Sequence, residues 1–470
     1  MTNLFNRNPE YTEFIQNFPE YKKTGILDKL RKTDFSRLDK NKHIYLDYTG
    51  GNIYAKRLVD QHRDLLVDGV FGNPHSTNPT SLLSTQLVDV ARSNVLNYFN
   101  ASEDYFCIFT PNASGALKIV GECYPFDEKS IYLLSTDNHN SVNGIREFAK
   151  KKGADFKYTT LDKETLYFNE KELNDNLESY PNKTNKLFAF PAQSNVSGIK
   201  HPLKYIDHAK AQGWDVLLDT AAFVPSDKLD LTEVQPDFAV VSFYKLFGYP
   251  TGLGCLLMKK SIFNKMKKPW YAGGNISLSA ASYDGHYLMP NHERFEDGTI
   301  DYLGIPAITH GLKLIEEIGI LTIKKRVRSL ISWLLSNLST LNHDNKQPLI
   351  KIFGSQDIGR RGSTLVMNFY DVCGTLYSFS DIEQAANQQN ISIRTGCFCN
   401  PGLDEINNNI TIEELEEYFT GRESGDFFEM IEFMGKLRGS IRISLGIVSN
   451  FKDVQSFYNF SKKFLNKKID

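Results

Sequence analysis

From about residue 41 to about residue 304 the chain alternates short runs of consecutive apolar residues with longer stretches in which apolar and polar positions mix. The runs Phe106-Cys107-Ile108-Phe109, Ile131-Tyr132-Leu133-Leu134, Leu187-Phe188-Ala189-Phe190, Val216-Leu217-Leu218 and Phe238-Ala239-Val240-Val241 show no polar alternation. Strands of this kind are covered on both faces, as in the parallel sheets of α/β proteins. A glycine-bounded run, Gly252 to Met258, predicts one further strand with a lysine-rich exit. The alternation predicts βα units around a mostly parallel sheet, a large domain over 41–304. Beyond residue 305 a long helical pattern, Ala307 to Leu338, gives way to short mixed segments through Ile441-Arg442-Ile443-Ser444, which predict a smaller α+β domain over 305–470. The polar, charged stretch before residue 41, with Tyr21-Lys22-Lys23-Thr24 and Arg31-Lys32-Thr33-Asp34, predicts a helical N-terminal arm over 1–40.

Composition narrows the partners. The 470 residues are 41% hydrophobic and 23% charged, with a formal net charge of −2 and a pI near 6.6. That balance gives no electrostatic case for nucleic acid or an anionic membrane, and a small-molecule partner is expected. Met1 to Asn8 contain no apolar stretch behind a basic segment, and no run reaches the length of a membrane span, so neither a secretory signal nor a membrane anchor is expected. The six cysteines are scattered, which argues against a disulfide framework and for a reducing, cytoplasmic setting.

Two polar residues punctuate the strand pattern. Val216-Leu217-Leu218 delivers Asp219 at its carboxyl end, and a later strand ends in Ser242-Phe243-Tyr244-Lys245. Ligands of open α/β sheets sit outside the carboxyl ends of the strands, so Asp219 and Lys245 are expected to face one site. Pyridoxal 5'-phosphate needs a lysine for its carbonyl carbon, an acid for its ring nitrogen and donors for its phosphate. The third requirement falls to Thr110-Pro111-Asn112-Ala113-Ser114-Gly115, where small residues after a strand open a helix whose free N–H groups favour a phosphate. Taken singly, a strand-end aspartate is ordinarily a cap and a lone lysine a solvated charge; the pair with the upstream turn is what shifts the reading. In Arg394-Thr395-Gly396-Cys397-Phe398-Cys399 a thiol beside a cation can serve as a nucleophile, because the cation favours the thiolate. A zinc site would need four ligands and a wider spacing, so no metal is expected. Buried, inert thiols suit Cys107 and Cys255.

With these residues in place, the chain resembles the N-terminal, cysteine-desulfurase-like domain of eukaryotic molybdenum cofactor sulfurases, within the class V aminotransferase family. The resemblance runs from about Tyr45 to Val454. It is carried by Tyr45-Leu46-Asp47-Tyr48-Thr49-Gly50, Gly72-Asn73-Pro74-His75-Ser76, Asp137-Asn138-His139-Asn140-Ser141-Val142, Phe190-Pro191-Ala192-Gln193-Ser194-Asn195, Val241-Ser242-Phe243-Tyr244-Lys245, Phe295-Glu296-Asp297-Gly298-Thr299 and Cys397-Phe398-Cys399. It implies the fold-type-I architecture of pyridoxal-phosphate-dependent transferases and a homodimer with composite sites. It implies Lys245 as the lysine that carries the cofactor, Asp219 as the ring-nitrogen partner, and His139 as the imidazole over the ring. Asn195 would lie near the phenolic oxygen, Ser114 and Ser242 at the phosphate, and Thr299 at a phosphate across the dimer. Arg442, with Arg394 nearby, would clamp the substrate carboxylate, and a guanidinium fork suits that group.

The activity so implied is L-cysteine desulfuration, giving alanine and an enzyme persulfide on Cys399, with Cys397 the runner-up. Sulfur would then pass to an acceptor, a separate protein among the candidates. Full-length members of the family carry a further C-terminal domain for the molybdenum cofactor, and no segment here is expected to bind the pterin. Tyr244 and Ala222 stand where simpler desulfurases have histidine and often glutamine, and the Pro111–Ser114 turn is less glycine-rich than the family pattern. Another class V reaction, such as a selenocysteine lyase, a cysteine β-lyase or an aminotransferase, shares the fold and stays open.

Overall fold

In the computed structural model, which describes residues 9–469, each apolar run becomes a strand of one seven-stranded sheet. The strands are β1 (Tyr105–Thr110), β2 (Ser130–Ser135), β3 (Asp155–Thr159), β4 (Asn185–Pro191), β5 (Asp215–Asp219), β6 (Phe238–Ser242) and β7 (Gly254–Lys259). Their order is β1-β7-β6-β5-β4-β2-β3, and β7 alone runs opposite to the other six. Side chains alternate between two buried layers: Ile131, Leu133, Phe188, Phe190, Val216 and Leu218 pack on one side, and Tyr132, Leu134, Leu187, Ala189 and Leu217 on the other. Burial on both faces is why these segments read as continuous apolar runs rather than as an alternating pattern.

The smaller domain holds a second, antiparallel sheet of β8 (Ile350–Ile352), β9 (Thr364–Phe369), β10 (Arg394–Gly396) and β11 (Ser440–Ser444), in the order β8-β9-β11-β10. The long helical pattern resolves into two helices, Pro306–Ile318 and Ile320–Leu338, because Gly319 between them takes φ 77° and ψ 121°. Ile44–Tyr45 pairs in parallel with Ile391–Ser392, and Asp47 bridges to Ser444.

The N-terminal arm is helical over Pro9–Asn17, Gly25–Lys32 and Arg37–Lys40; residues 1–8, the segment read for a leader, lie outside the described residues. Ion pairs tie the arm to the smaller domain: Arg31 Nη2 donates to Asp453 Oδ1 at 3.0 Å, both side chains buried, and the buried Arg326 donates through Nη1 to the half-exposed Asp28 Oδ1 at 2.8 Å. Among the described residues no helix is long and apolar enough to cross a membrane.

Candidate active site

Five strands that point the same way end at one cavity of about 380 Å³. The end of β1 runs into Asn112, whose side chain accepts from Gly115 N and starts the helix Ala113–Cys123. The ends of β2, β4, β5 and β6 deliver His139, Asn195, Asp219 and the Ser242-to-Lys245 segment. Ala113, Ser114, His139, Asn195, Asp219, Ser242 and Lys245 all line this cavity, so seven of the eleven residues singled out from the sequence meet at one place. Lys245 sits on the helix Phe243–Phe247, which stops at Gly248 with φ 84°. That glycine is required: a Cβ would strike the backbone of Ile53 at 2.6 Å and that of Tyr54 as well.

The electrostatics follow from a partly closed, mixed-charge site. Burial lowers the Lys245 pKa, Asp219 opposes that shift, and Arg442 adds to it. His139 is lowered chiefly by burial, with Asp219 raising it and Lys245 and Arg442 lowering it. Its Nδ1 accepts from Ser141 N at 3.1 Å, which fixes the ring, and Asp219 Oδ1 accepts from Ala221 N at 3.0 Å. Ser114 and Ser141 share a hydroxyl hydrogen bond of 2.6 Å at the helix start. The hydroxyl of Ser242 is buried without a hydrogen-bond partner, and so is Gln193 Oε1; both residues line the cavity. Buried polar atoms are seldom left unpaired, so these two suit a polar ligand.

Cys399, Arg442, Arg394 and Thr299 are not on the cavity wall. Cys399 and Arg442 stand directly behind it. Cys399 O accepts from Asn140 N at 2.7 Å, Phe398 O accepts from Asn195 Nδ2 at 2.9 Å, and Arg442 Nη1 donates to Asn195 O at 2.9 Å. Phe398 and Cys399 both take left-handed backbone angles, φ 57° and 54°. Two successive non-glycine residues there cost on the order of 1–3 kcal/mol each, which the contacts around the loop must offset. Asn400 holds the loop, donating through Nδ2 to Asp137 Oδ1 at 2.8 Å, while Asp137 Oδ2 meets His201 Nε2 at 3.0 Å. Cys399 is exposed and Cys397 half-buried; Cys107 and Cys255 are buried, and burial pushes the Cys255 thiol well up. Thr299 is exposed, its hydroxyl 3.5 Å from Asn73 Nδ2.

Sequence reasoning passed over Asp47. It is buried, and it bridges both arginines: Arg394 Nη2 donates to Oδ2 at 2.6 Å and Arg442 Nη2 to Oδ1 at 2.8 Å. Its only signal was a carboxylate inside the otherwise apolar Tyr45-Leu46-Asp47-Tyr48.

An open α/β sheet whose strand ends gather a lysine, an aspartate and a histidine, beside an antiparallel second domain, defines the class: fold type I of the pyridoxal-phosphate-dependent transferases. The aminotransferase class-V family model matches residues 44–457, and the chain belongs to that family. It is 34% identical over 492 residues to the molybdenum cofactor sulfurase of Oryza sativa subsp. japonica, covering 95% of this chain and 59% of that protein. The human molybdenum cofactor sulfurase is 33% identical, covering 93% of this chain and 51% of its own length. The chain thus spans a little over half the length of these relatives. Among solved structures, the apo cysteine desulfurase of Thermococcus onnurineus NA1 superposes with a TM-score of 0.77 at 20% identity, covering 93% of this chain and 98% of that one.

Proposed function

We propose that this chain is a pyridoxal-phosphate-dependent L-cysteine desulfurase, releasing alanine and storing the sulfur as a persulfide on Cys399. The observation that carries the reading is the meeting of Lys245, Asp219 and His139 on one cavity whose buried Ser242 hydroxyl has no partner. The residues fit the cofactor. Lys245 would hold its carbonyl carbon and Asp219 its ring nitrogen, with Ser114, Ser242 and the N–H groups at Ala113 available to the phosphate. Once bound there, pyridoxal phosphate supplies an electrophilic carbonyl and an electron-withdrawing ring. The solved structure of a C-DES variant with glycine covalently linked to its PLP cofactor, 16% identical with a TM-score of 0.71, supports the choice of cofactor for this fold.

The chain's own residues do the rest. Burial favours the neutral Lys245 amine, which can act as nucleophile and then carry the substrate's α-proton. Neutral His139, its ring fixed by Ser141 N, is placed to move a second proton. Arg442 and Arg394 bind the amino-acid carboxylate. The exposed Cys399 thiol then takes the substrate sulfur: one C–S bond breaks, one S–S bond forms, and the three-carbon remainder leaves as alanine.

Thr299 lies off its own chain's cavity, which supports a homodimer in which it serves the partner's phosphate. The exposed aromatic hairpin around Ile276–Ser279 and His286–Leu288, with Tyr283 and Tyr287, gives such a dimer a surface to cover. Six free cysteines support a reducing cytoplasm.

The test is the visible absorbance of the purified protein, followed by addition of L-cysteine and assay of alanine and sulfide, with Lys245→Ala as control. The reading expects a cofactor band lost in the variant, and alanine and sulfide formed together. A band without alanine points to another class V reaction, and no band overturns the assignment.

A further inference from the structure

The loop 397–400 separates two cavities. On one side its carbonyls at Phe398 and Cys399 are bound by Asn195 and Asn140, beside the Lys245 cavity. On the other side Cys397 joins Asp404, Tyr418, Phe427 and Arg438 around a second cavity of about 500 Å³. The helices Ile412–Phe419 and Phe427–Met434 close that second cavity, and the Arg438–Asp404 pair, 2.9 Å from Nε to Oδ2, braces its floor. The two cysteines therefore stand in different surroundings: the main chain of Cys399 is bonded beside the Lys245 cavity, whereas Cys397 lines the second cavity. They are nonetheless two positions apart on one tight turn, which Asn400 N closes by donating to Cys397 O at 3.0 Å. The paired left-handed angles at Phe398 and Cys399 make this turn, so that Cys397 and Cys399 belong to one four-residue reversal of the chain.

We propose that sulfur moves in two steps, from Cys399 at the Lys245 cavity to Cys397, which presents it in the second cavity. The inference rests on the desulfurase reading and extends it by naming a second carrier and an exit. The Cys397 sulfur attacks the outer sulfur of the Cys399 persulfide. A new S–S bond forms at Cys397 as the bond at Cys399 breaks, and the proton of the Cys397 thiol ends on the departing Cys399 sulfur. One persulfide replaces another, so no oxidant or reductant enters. Burial pushes the Cys397 thiol up, so the thiolate that attacks grows as pH rises and the transfer should quicken with it. Division of labour follows: the amino acid enters one cavity while the acceptor meets sulfur in the other, and neither blocks its counterpart.

The experiment is a time course of holoenzyme with L-cysteine and no reductant, quenched with iodoacetamide and read by peptide mass spectrometry, alongside an alanine assay. The expected result is one extra sulfur first on Cys399 and later on Cys397, with Cys399→Ser carrying none on Cys397. Alanine formed with sulfur on Cys399 alone throughout overturns the relay and leaves the desulfurase reading standing. Sulfur reaching Cys397 in Cys399→Ser also overturns it, since Cys397 would then be the direct acceptor. Absence of alanine overturns both.

Discussion

Asp47 pairs with both arginines proposed to bind the substrate carboxylate. Arg442 is buried, and burial lowers its pKa while Asp47 opposes that shift. Removing one partner of a buried pair leaves the other charge uncompensated, at a cost of about 3 kcal/mol. Asp47→Asn is therefore expected to lower unfolding free energy by about that amount in urea titration, and to raise the KM for cysteine more than it lowers kcat, since both arginines lose their orientation. His139 gives a pH prediction. Its folded pKa lies below the ordinary 6.5, so between the two values the unfolded chain holds a proton that the native chain lacks. Stability should fall as pH drops through that window, and an NMR titration of the cofactor-free protein should place the His139 midpoint below 6.5. Asp219→Asn should push the midpoint lower still, because Asp219 is the group holding it up against burial, Lys245 and Arg442. A midpoint at or above 6.5 would contradict the geometry. Lys245 and Asp219 were legible in the sequence because polar residues at the ends of apolar strands are conspicuous. Asp47 and Asp137 were not, because their partners lie hundreds or scores of positions away and periodicity carries no trace of them.

At the level of elements, the strands with two buried faces were legible, and of the two edge strands β1 was legible and β3 was not. Asp155–Thr159 borders only β2, three of its five residues are exposed, and its sequence DFKYT offers no apolar run to read. The Gly319 break escaped notice for a related reason: helical periodicity continues through it, and only the backbone angles reveal two helices. The short helix that carries Lys245 makes a sharper prediction. Gly248 ends it in a left-handed conformation, which costs an L-residue roughly 1–2 kcal/mol even before the clash with Ile53 and Tyr54. Gly248→Ala should shift the helix to relieve that contact and so displace Lys245. The expected outcome is a several-fold loss of pyridoxal-phosphate affinity in fluorescence titration. A variant that keeps wild-type affinity would show that the helix end does not position the lysine.

For the whole molecule, the arm and the assembly are the open joints. Arg31 and Asp453 are both buried, whereas Lys23 and Glu20 form an exposed pair on the same arm. Arg31→Ala should destabilise the protein by about 3 kcal/mol in denaturant, because Asp453 is left charged and unpaired, while Lys23→Ala should leave stability unchanged. The assembly can be tested by genetics rather than by size. If each site takes Lys245 from one chain and Thr299 from the other, Lys245→Ala and Thr299→Ala chains compensate when mixed. In a mixed dimer one site carries both defects, and the other is built from an intact Lys245 and an intact Thr299. Mixing two weak homodimers under conditions that exchange subunits should therefore restore one complete site per mixed dimer. If both residues served the same chain's site, every site in the mixture would carry one defect, and activity would stay at the weighted mean of the two parents. The position of Thr299, exposed and off the wall of its own cavity, favours the first outcome.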